Sequence, residues 1–158
     1  MTEQAPQKYN VVIPKEDYAG LRWEEHKMPA ICSVNKSLVD FQPKEVFAWH
    51  LAIVIENNDT QTDGQPTPEE KAIIDGFCAQ IAELVTADKN AMVLAKSAWN
   101  GCCQFFFRVF DPEVADQKLQ DLINSESQPR EFQYHMEHDK DWKFAGHYLK
   151  PFMNKEAL

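Results

Sequence analysis

The amino-acid sequence predicts an α+β domain built on an antiparallel sheet. Three observations favour this fold class: a hairpin signal at Asn100-Gly101, an apolar strand over residues 46–56, and two helix starts at Thr67-Pro68 and Asp111-Pro112. A chain of 158 residues with 44% hydrophobic content can bury about two thirds of its unfolded surface in one core. One domain is therefore expected.

The Asn100-Gly101 pair separates two apolar, β-prone runs. A two-residue type I′ turn needs positive φ at both central residues, and Asn and Gly tolerate this best. Side chains alternate along a strand, so the run after the turn has two faces. The more apolar face is expected to meet the helices and consists of Cys103, Phe105, Phe107 and Val109. The opposite face consists of Cys102, Gln104, Phe106, Arg108 and Phe110.

Residues 46–56 predict a second strand that is also apolar on both faces. One face consists of Phe47, Trp49, Leu51, Ile53 and Ile55, and the other of Val46, Ala48, His50, Ala52 and Val54. A strand of this kind belongs in the interior of a sheet.

Two helices are predicted from their first residues. Thr67 suits an N-cap, Pro68 suits the first helical position, and Glu70 completes a capping box. Asp111-Pro112 repeats the N-cap and first-position pattern for the second helix. The predicted buried stripes are Ile73, Ile74, Phe77, Ile81, Leu84 and Val85 in the first helix and Val114, Ala115, Leu119, Leu122 and Ile123 in the second.

The remaining segments give weaker signals. Residues 131–137 alternate like a half-exposed edge strand, with Phe132, Tyr134 and Met136 inward. Residues 141–149 predict a short helix that buries Trp142, Ala145 and Leu149. Towards the N-terminus, a short strand is expected over residues 9–13 and another segment over 20–26, closed by Pro29. Residues 30–40 fit either a strand or a short helix.

From residue 46 to residue 137 the predicted order is β-α-β-β-α-β. This is the order of a ferredoxin-like sandwich, with four antiparallel strands and both helices on one face. The first and third strands then form the central pair, and these are the two strands that are apolar on both faces. We expect a flexible tail over residues 1–8 and a single ferredoxin-like domain over 9–158 with its core at 46–137. The first 45 residues would add strands to an edge, cover the second face, or do both.

Charge and composition exclude several classes of partner. The formal net charge of −9 disfavours nucleic acid and anionic membranes and favours a partner with a basic surface. No apolar run approaches about 18 residues and no signal-peptide pattern is present. The four cysteines have no CxxC spacing, which favours reduced thiols and a cytoplasmic location.

The second sheet face supplies the candidate ligand-binding residues, which are His50, Gln104, Phe106, Arg108 and His135. Exposed aromatic residues on such a face can stack RNA bases, but the negative charge argues against that function. The other interpretation is that the N-terminal segment and the Trp142 helix cover this face.

Catalytic and metal-binding patterns are sparse. His135, Glu137 and His138 allow a His/carboxylate metal site, although polar residues on an edge strand more often face water. Cys102 and His50 could approach each other, but no third group orients the histidine. No phosphate-binding or hydrolase motif is present. We therefore assign no catalytic residue, no bound metal and no cofactor.

Acidic residues are concentrated near the two helix starts. They are Glu56, Asp59, Asp63, Glu69, Glu70 and Asp75 around the first helix, and Asp111, Glu113, Asp116, Asp121 and Glu126 around the second. They form either a solvated surface, which is the commoner case, or a docking surface for a basic partner.

Short motifs over residues 20–151 resemble the domain-of-unknown-function family 695. They are Trp23, Ser33-Val34-Asn35-Lys36-Ser37-Leu38, Gly64-Gln65-Pro66-Thr67-Pro68-Glu69-Glu70, and Asp141-Trp142 with Tyr148-Leu149-Lys150-Pro151. That family is similar in fold to the regulator of ribonuclease E activity B, a small acidic ferredoxin-like protein that inhibits its target by binding. The resemblance implies protein-protein regulation through an acidic surface.

The leading interpretation is a non-enzymatic cytoplasmic module that binds or regulates another protein through an acidic surface. The alternative is a small-molecule-binding protein or an enzyme that uses the polar residues of the second sheet face. The oligomeric state does not follow from the sequence.

Overall fold

The computed structural model describes residues 11–153 of the chain. Within these residues the strands are β1 (Tyr18–Glu25), β2 (Met28–Asn35), β3 (Trp49–Glu56), β4 (Ala91–Trp99), β5 (Cys102–Val109) and β6 (Phe132–His138). The helices are α1 (Pro68–Thr86), α2 (Pro112–Ser125) and α3 (Lys143–Leu149). Short 3₁₀ helices lie at Lys36–Leu38, Lys44–Phe47, Ala87–Lys89 and Lys150–Phe152.

The six strands form one antiparallel sheet in the order β1-β2-β4-β5-β3-β6. β3 and β5 pair along their full length, from Trp49 opposite Val109 to Glu56 opposite Cys102. Each of them has a further strand on its other side, β6 beside β3 and β4 beside β5. The predicted α+β class is confirmed. β3 and β5 are neighbours and both are interior strands, although the middle pair of the six-stranded sheet is β4 and β5.

The predicted hairpin joins β4 to β5. Asn100 has φ of 49° and Gly101 has φ of 82°, and Trp99 lies opposite Cys102. Both central residues thus have the positive φ that a two-residue primed turn requires.

The N-terminal segment adds a second hairpin, β1–β2, to the β4 edge of the sheet. His26 and Lys27 form its turn with φ of 52° and 67°, although neither is a preferred turn residue. Pro29, which was expected to close a strand, lies inside β2. It is tolerated there because the pairing of β2 with β4 begins only at Ile31, so no β4 partner needs the missing N–H.

Two N-terminal predictions need correction. Residues 30–40 combine both alternatives, since β2 ends at Asn35 and a 3₁₀ helix follows. Residues 11–13 are not in a strand. Residues 9 and 10 and the predicted tail over residues 1–8 lie outside the described residues.

Both long helices begin as predicted. The Thr67 side chain accepts a hydrogen bond from the backbone N of Glu70 at 3.3 Å, and Asp111 accepts from the backbone N of Glu113 at 3.0 Å. The capping box is incomplete, because the Glu70 carboxylate accepts from Asn58 N at 2.7 Å and from the Arg130 guanidinium.

The helices α1 and α2 pack on one face of the sheet. The sheet side of this core includes Leu51, Ile53, Ile55, Val93, Cys103, Phe105, Phe107 and Val109, and the helix side includes Ile74, Phe77, Ile81, Val85, Ala115, Leu119 and Leu122. Both predicted stripes are too wide, since Ile73 of α1 remains 41% exposed and Val114 of α2 remains 39% exposed.

The opposite face carries a second core. Residues between β2 and β3, together with α3, cover Ala52, Met92, Leu94 and Phe106 of the sheet. The predicted burial of Trp142, Ala145 and Leu149 is confirmed. The helix itself begins at Lys143, because Trp142 adopts the left-handed conformation with φ of 58°. The second sheet face is therefore closed over its centre.

The predicted strand over residues 46–56 begins too early. Residues 44–47 form a 3₁₀ helix, and β3 starts at Trp49. Phe47 therefore packs in the second core instead of sharing a face with Leu51, because the alternation of side chains holds only within a strand.

No helix among residues 11–153 is long and apolar enough to cross a membrane.

Candidate functional site

The five residues predicted to bind a ligand do not share an open face. His50 is 5% exposed and Arg108 is 0% exposed, and Phe106 is buried beneath α3. Gln104 and His135 are exposed. The structure brings His50, Phe106 and Arg108 together, but as part of a covered core.

Arg108 joins β5 to the segment before α3. Its guanidinium donates to the Asp139 carboxylate (Nη1 to Oδ2, 3.0 Å) and to the Asp139 carbonyl oxygen (Nη2, 2.6 Å). It also donates to the Phe47 carbonyl oxygen at 3.2 and 3.3 Å, and it lies 4.7 Å from the centroid of the Trp142 ring. A charged group this buried is stable only when it is paired and hydrogen-bonded, so Arg108 serves the closure of the second face.

The role of Asp139 as the partner of Arg108 was not predicted from the sequence. Its carboxylate accepts hydrogen bonds from Lys143 N at 2.9 Å and Phe144 N at 3.0 Å, in the manner of a helix cap. Burial alone would raise the pKa of Asp139, but the bonds from Phe144, Lys143 and Arg108 outweigh burial and lower it. The signal that could have identified this residue is an Asp placed shortly before a helix.

His50 lies between two aromatic rings, 5.5 Å from the Phe106 centroid and 5.0 Å from the Phe144 centroid. Its Nδ1 is buried without a hydrogen-bond partner among the described residues. Burial and the nearby Arg108 charge lower the pKa of His50 to about 4. The imidazole is therefore neutral near pH 7.

Among residues 11–153, no strand pairs with the outer side of β6, which is therefore an edge of the described sheet. Glu56 N donates to Glu131 O, and Asp139 N donates to Ala48 O. These two bonds identify Glu56–Glu131 and Ala48–Asp139 as hydrogen-bonded pairs of the β3–β6 ladder. Hydrogen-bonded and non-hydrogen-bonded pairs alternate along antiparallel strands. The backbone groups of alternate residues therefore point away from β3, and these residues are Phe132, Tyr134, Met136 and His138.

An acidic groove of about 930 Å³ runs along this edge, between β6 and α2. Tyr134 connects the two walls, since its hydroxyl donates to Asp116 Oδ1 and accepts from Gln120 Nε2 at 2.6 Å. Glu113 and Asp116 are the carboxylates that line the groove. Lysine and arginine are absent from its lining residues, so the groove carries negative charge.

The acidic residues divide into paired and unpaired groups. Glu70 is buried against Arg130, and Asp75 contacts both Lys71 and Lys96. Within residues 11–153, the acidic residues of α2 take part in no ion pair. Near the first helix, Glu56, Asp59, Asp63 and Glu69 likewise form no ion pair within the described residues. Unpaired negative charge therefore lies beside both helix starts, and the part of it on α2 borders the β6 groove.

The three residues of the His135 cluster do not converge on one point. His135 Nε2 lies 3.9 Å from Glu137 Oε1, while His138 packs against the Trp49 ring at 5.1 Å. No group of three or more possible ligands was found in the part of the chain that the structure describes.

Comparison of the chain with curated proteins and with solved structures found no match. The similarity in fold to the regulator of ribonuclease E activity B therefore stays a prediction. A family model described as a family of unknown function matches residues 23–149, which include the whole of the sheet from Trp23 of β1 onward. The chain belongs to this family, DUF695.

Proposed function

We propose that this domain is a non-enzymatic protein-binding module that adds an extended, basic segment of a partner to the free edge of β6. The observation that supports the proposal most directly is the edge of β6, which pairs with no other strand in the described part of the chain and lies beside an acidic groove. An exposed edge is a template for strand addition, and proteins that avoid such pairing protect their edges with Pro, inward charges or bulges. β6 has a regular register with β3 over Phe132–His138 and contains no Pro or Lys.

The partner chemistry follows from the two walls of the groove. Outward backbone groups of β6 would hydrogen-bond an added strand, each bond contributing about 1 kcal/mol net. Glu113 and Asp116 favour Lys or Arg at positions of the added strand that face α2. Backbone pairing would supply affinity, and charge would supply selectivity.

The strand order supports a further part of the proposal, that residues 49–138 form a ferredoxin-like sandwich. The elements alternate as β-α-β-β-α-β, and the four strands lie in the order β4-β5-β3-β6. In this arrangement β6 is the last strand of the motif and a natural edge. The cytoplasmic location stays a prediction from the cysteine spacing.

Closure of the second face favours this function over the alternative of a ligand site at His50 and Arg108. A ligand there would have to displace α3, and the Arg108 donors already bind Asp139 and Phe47. The β6 edge needs no such displacement.

Selection from a phage-displayed library of random linear peptides tests the proposal. We expect enrichment of β-prone peptides in which Lys or Arg alternates with apolar residues, with binding that weakens as salt increases. Fluorescence anisotropy of the enriched peptides then provides affinities for variants.

Met136→Pro removes one backbone N–H that points away from β3, so it should weaken peptide binding by about five-fold or more while leaving the β3 ladder intact. Met136→Leu is the matched control, because it preserves both the N–H and most of the packing. Glu113→Gln should weaken binding by about two- to five-fold. Glu69→Gln, at the same position of α1, should have no effect.

Failure to enrich any peptide would refute the proposed function. Equal binding of the enriched peptides to Met136→Pro and Met136→Leu, with both variants shown to be folded by their NMR spectra, would also refute it.

A further inference from the structure

A second groove lies on the opposite side of the molecule, between α1 and the N-terminal hairpin. The hairpin β1–β2 extends the sheet beyond β4, past the part of the sheet that α1 and α2 cover. The register places Arg22 opposite Ile31, and Ile31 opposite Ala98. These side chains share the face on which α1 lies, and together with α1 and residues 57–68 they enclose a groove of about 660 Å³.

The walls of this groove are held in place by specific contacts. Gln65 Nε2 donates to Pro29 O at 3.0 Å and to Ala98 O at 2.8 Å, which fixes the loop to both β2 and β4. Gly64 packs so tightly on the β4–β5 turn that an added Cβ would lie 2.9 Å from Asn100 Cα. The groove is therefore preformed, as small-molecule sites usually are.

The floor is apolar and partly uncovered. Ile31 is 41% exposed although it points into the groove, and Ile74, Ala98 and Cys103 lie beside it. Asn57 also lines the groove, and its Nδ2 is buried without a hydrogen-bond partner among the described residues. An apolar surface with a few polar groups is the usual lining of a ligand pocket.

The charge of the groove is opposite to that of the chain. Its lining contains three basic residues, Arg22, Lys71 and Lys96, and two acidic residues, Asp63 and Asp75. The net lining charge is thus one positive, in a chain whose formal charge is −9. Asp75 is already neutralised by Lys71 at 2.6 Å and Lys96 at 3.2 Å, and Arg22 forms no ion pair within residues 11–153.

We propose that this groove binds a small amphipathic carboxylate. The apolar body of the ligand lies on Ile31, Ile74 and Ala98, and its carboxylate accepts hydrogen bonds from Lys96 and Arg22. The site lies at the β1–β2 end of the sheet, whereas the proposed peptide-binding edge is β6 at the other end, so each proposal can fail without the other.

Titration of the ¹⁵N-labelled protein with octanoate tests the proposal, and octylammonium and octanol are the matched probes. We expect saturable shifts of the amide resonances of Ile31, Ser33 and Lys96 with octanoate, weaker shifts with octanol, and none with octylammonium. Lys96→Met should weaken octanoate binding about five-fold, because one charge-assisted contact is lost.

Gly20→Leu provides the steric test. Gly20 lines the groove, and a Cβ there would meet no atom closer than 3.9 Å, so the leucine side chain can fill the groove without disturbing β1. We expect this variant to melt at an unchanged or higher temperature and to lose octanoate binding.

The proposal is overturned if octanoate causes no saturable shifts up to its solubility limit. It is also overturned if octylammonium binds as well as octanoate, or if Gly20→Leu binds octanoate as tightly as the unmodified protein.

Discussion

His50 should make the protein sensitive to mild acid. Its imidazole is 5% exposed between Phe106 and Phe144, and its pKa is lowered from 6.5 to about 4 by burial first and by the Arg108 charge second. In the unfolded chain His50 binds a proton near its ordinary pKa, so the unfolded state holds more protons between about pH 6.5 and pH 4. Folding stability from this residue is thus complete above about pH 6.5 and falls as the pH is lowered towards 4.

The magnitude follows from the two pKa values. A change from 6.5 to about 4 corresponds to about 3 kcal/mol of unfolding free energy, since each pKa unit is worth about 1.4 kcal/mol. His50→Phe keeps an aromatic ring between Phe106 and Phe144 and removes both the titration and the unpartnered Nδ1. We expect its stability to exceed that of the unmodified protein by a margin that grows by about 3 kcal/mol between about pH 7 and pH 4.

Urea unfolding at several pH values measures this difference. His147→Phe is the control, because His147 is exposed and its replacement makes the same chemical change outside the core. The reasoning is refuted if the stability difference between His50→Phe and the unmodified protein does not depend on pH. It is also refuted if His147→Phe gives the same pH-dependent difference.

Two further predictions concern the closure of the second face and the turn contacts. Asp139→Asn leaves the buried Arg108 charge without its carboxylate partner, so urea unfolding should show a loss of about 3–5 kcal/mol in the free energy of unfolding. The double variant Asp139→Asn with Arg108→Met should recover part of this loss. A double variant as unstable as Asp139→Asn would contradict the argument. Gly64→Ala should destabilise more than Gly101→Ala, because both have positive φ but only the Gly64 Cβ would strike backbone, at 2.9 Å from Asn100 Cα. Equal melting temperatures for the two glycine variants would count against the predicted steric effect.

The features that the sequence predicted correctly are local ones. The Asn100-Gly101 turn and the caps at Thr67 and Asp111 depend on residues within one turn of each other, so their chemistry can be read directly. The interior position of β3 and β5 was also accessible, because a strand that is apolar on both faces must be covered on both faces.

The features that the sequence did not predict depend on distant parts of the chain. Arg108 and Asp139 are 31 residues apart, and no local pattern indicates that they pair. The predicted orientation of Phe47 was wrong because a 3₁₀ helix replaces the start of the predicted strand. The β1–β2 hairpin was missed because His26 and Lys27 are not typical turn residues.

The two candidate sites also differ in how much of them could be predicted from the sequence. The free edge of β6 was predicted from the alternation of residues 131–137, although its groove with α2 was not. The groove beside α1 could not be predicted, because it depends on which edge of the sheet receives the N-terminal hairpin. The net positive charge of its lining, which contrasts with the negative charge of the chain, arises only because the fold brings Arg22, Lys71 and Lys96 together.

Closure of the second face also has a consequence for protein synthesis. Trp142 donates to the carbonyl oxygens of Lys44 and Phe47, which lie more than ninety residues earlier in the chain. A nascent chain that has emerged only as far as β5 therefore lacks the part of the cover that α3 supplies to Phe106 and that Asp139 supplies to Arg108. The sheet of such a chain would expose apolar surface of the kind that chaperones bind. The last third of the chain must leave the ribosome before this surface is shielded.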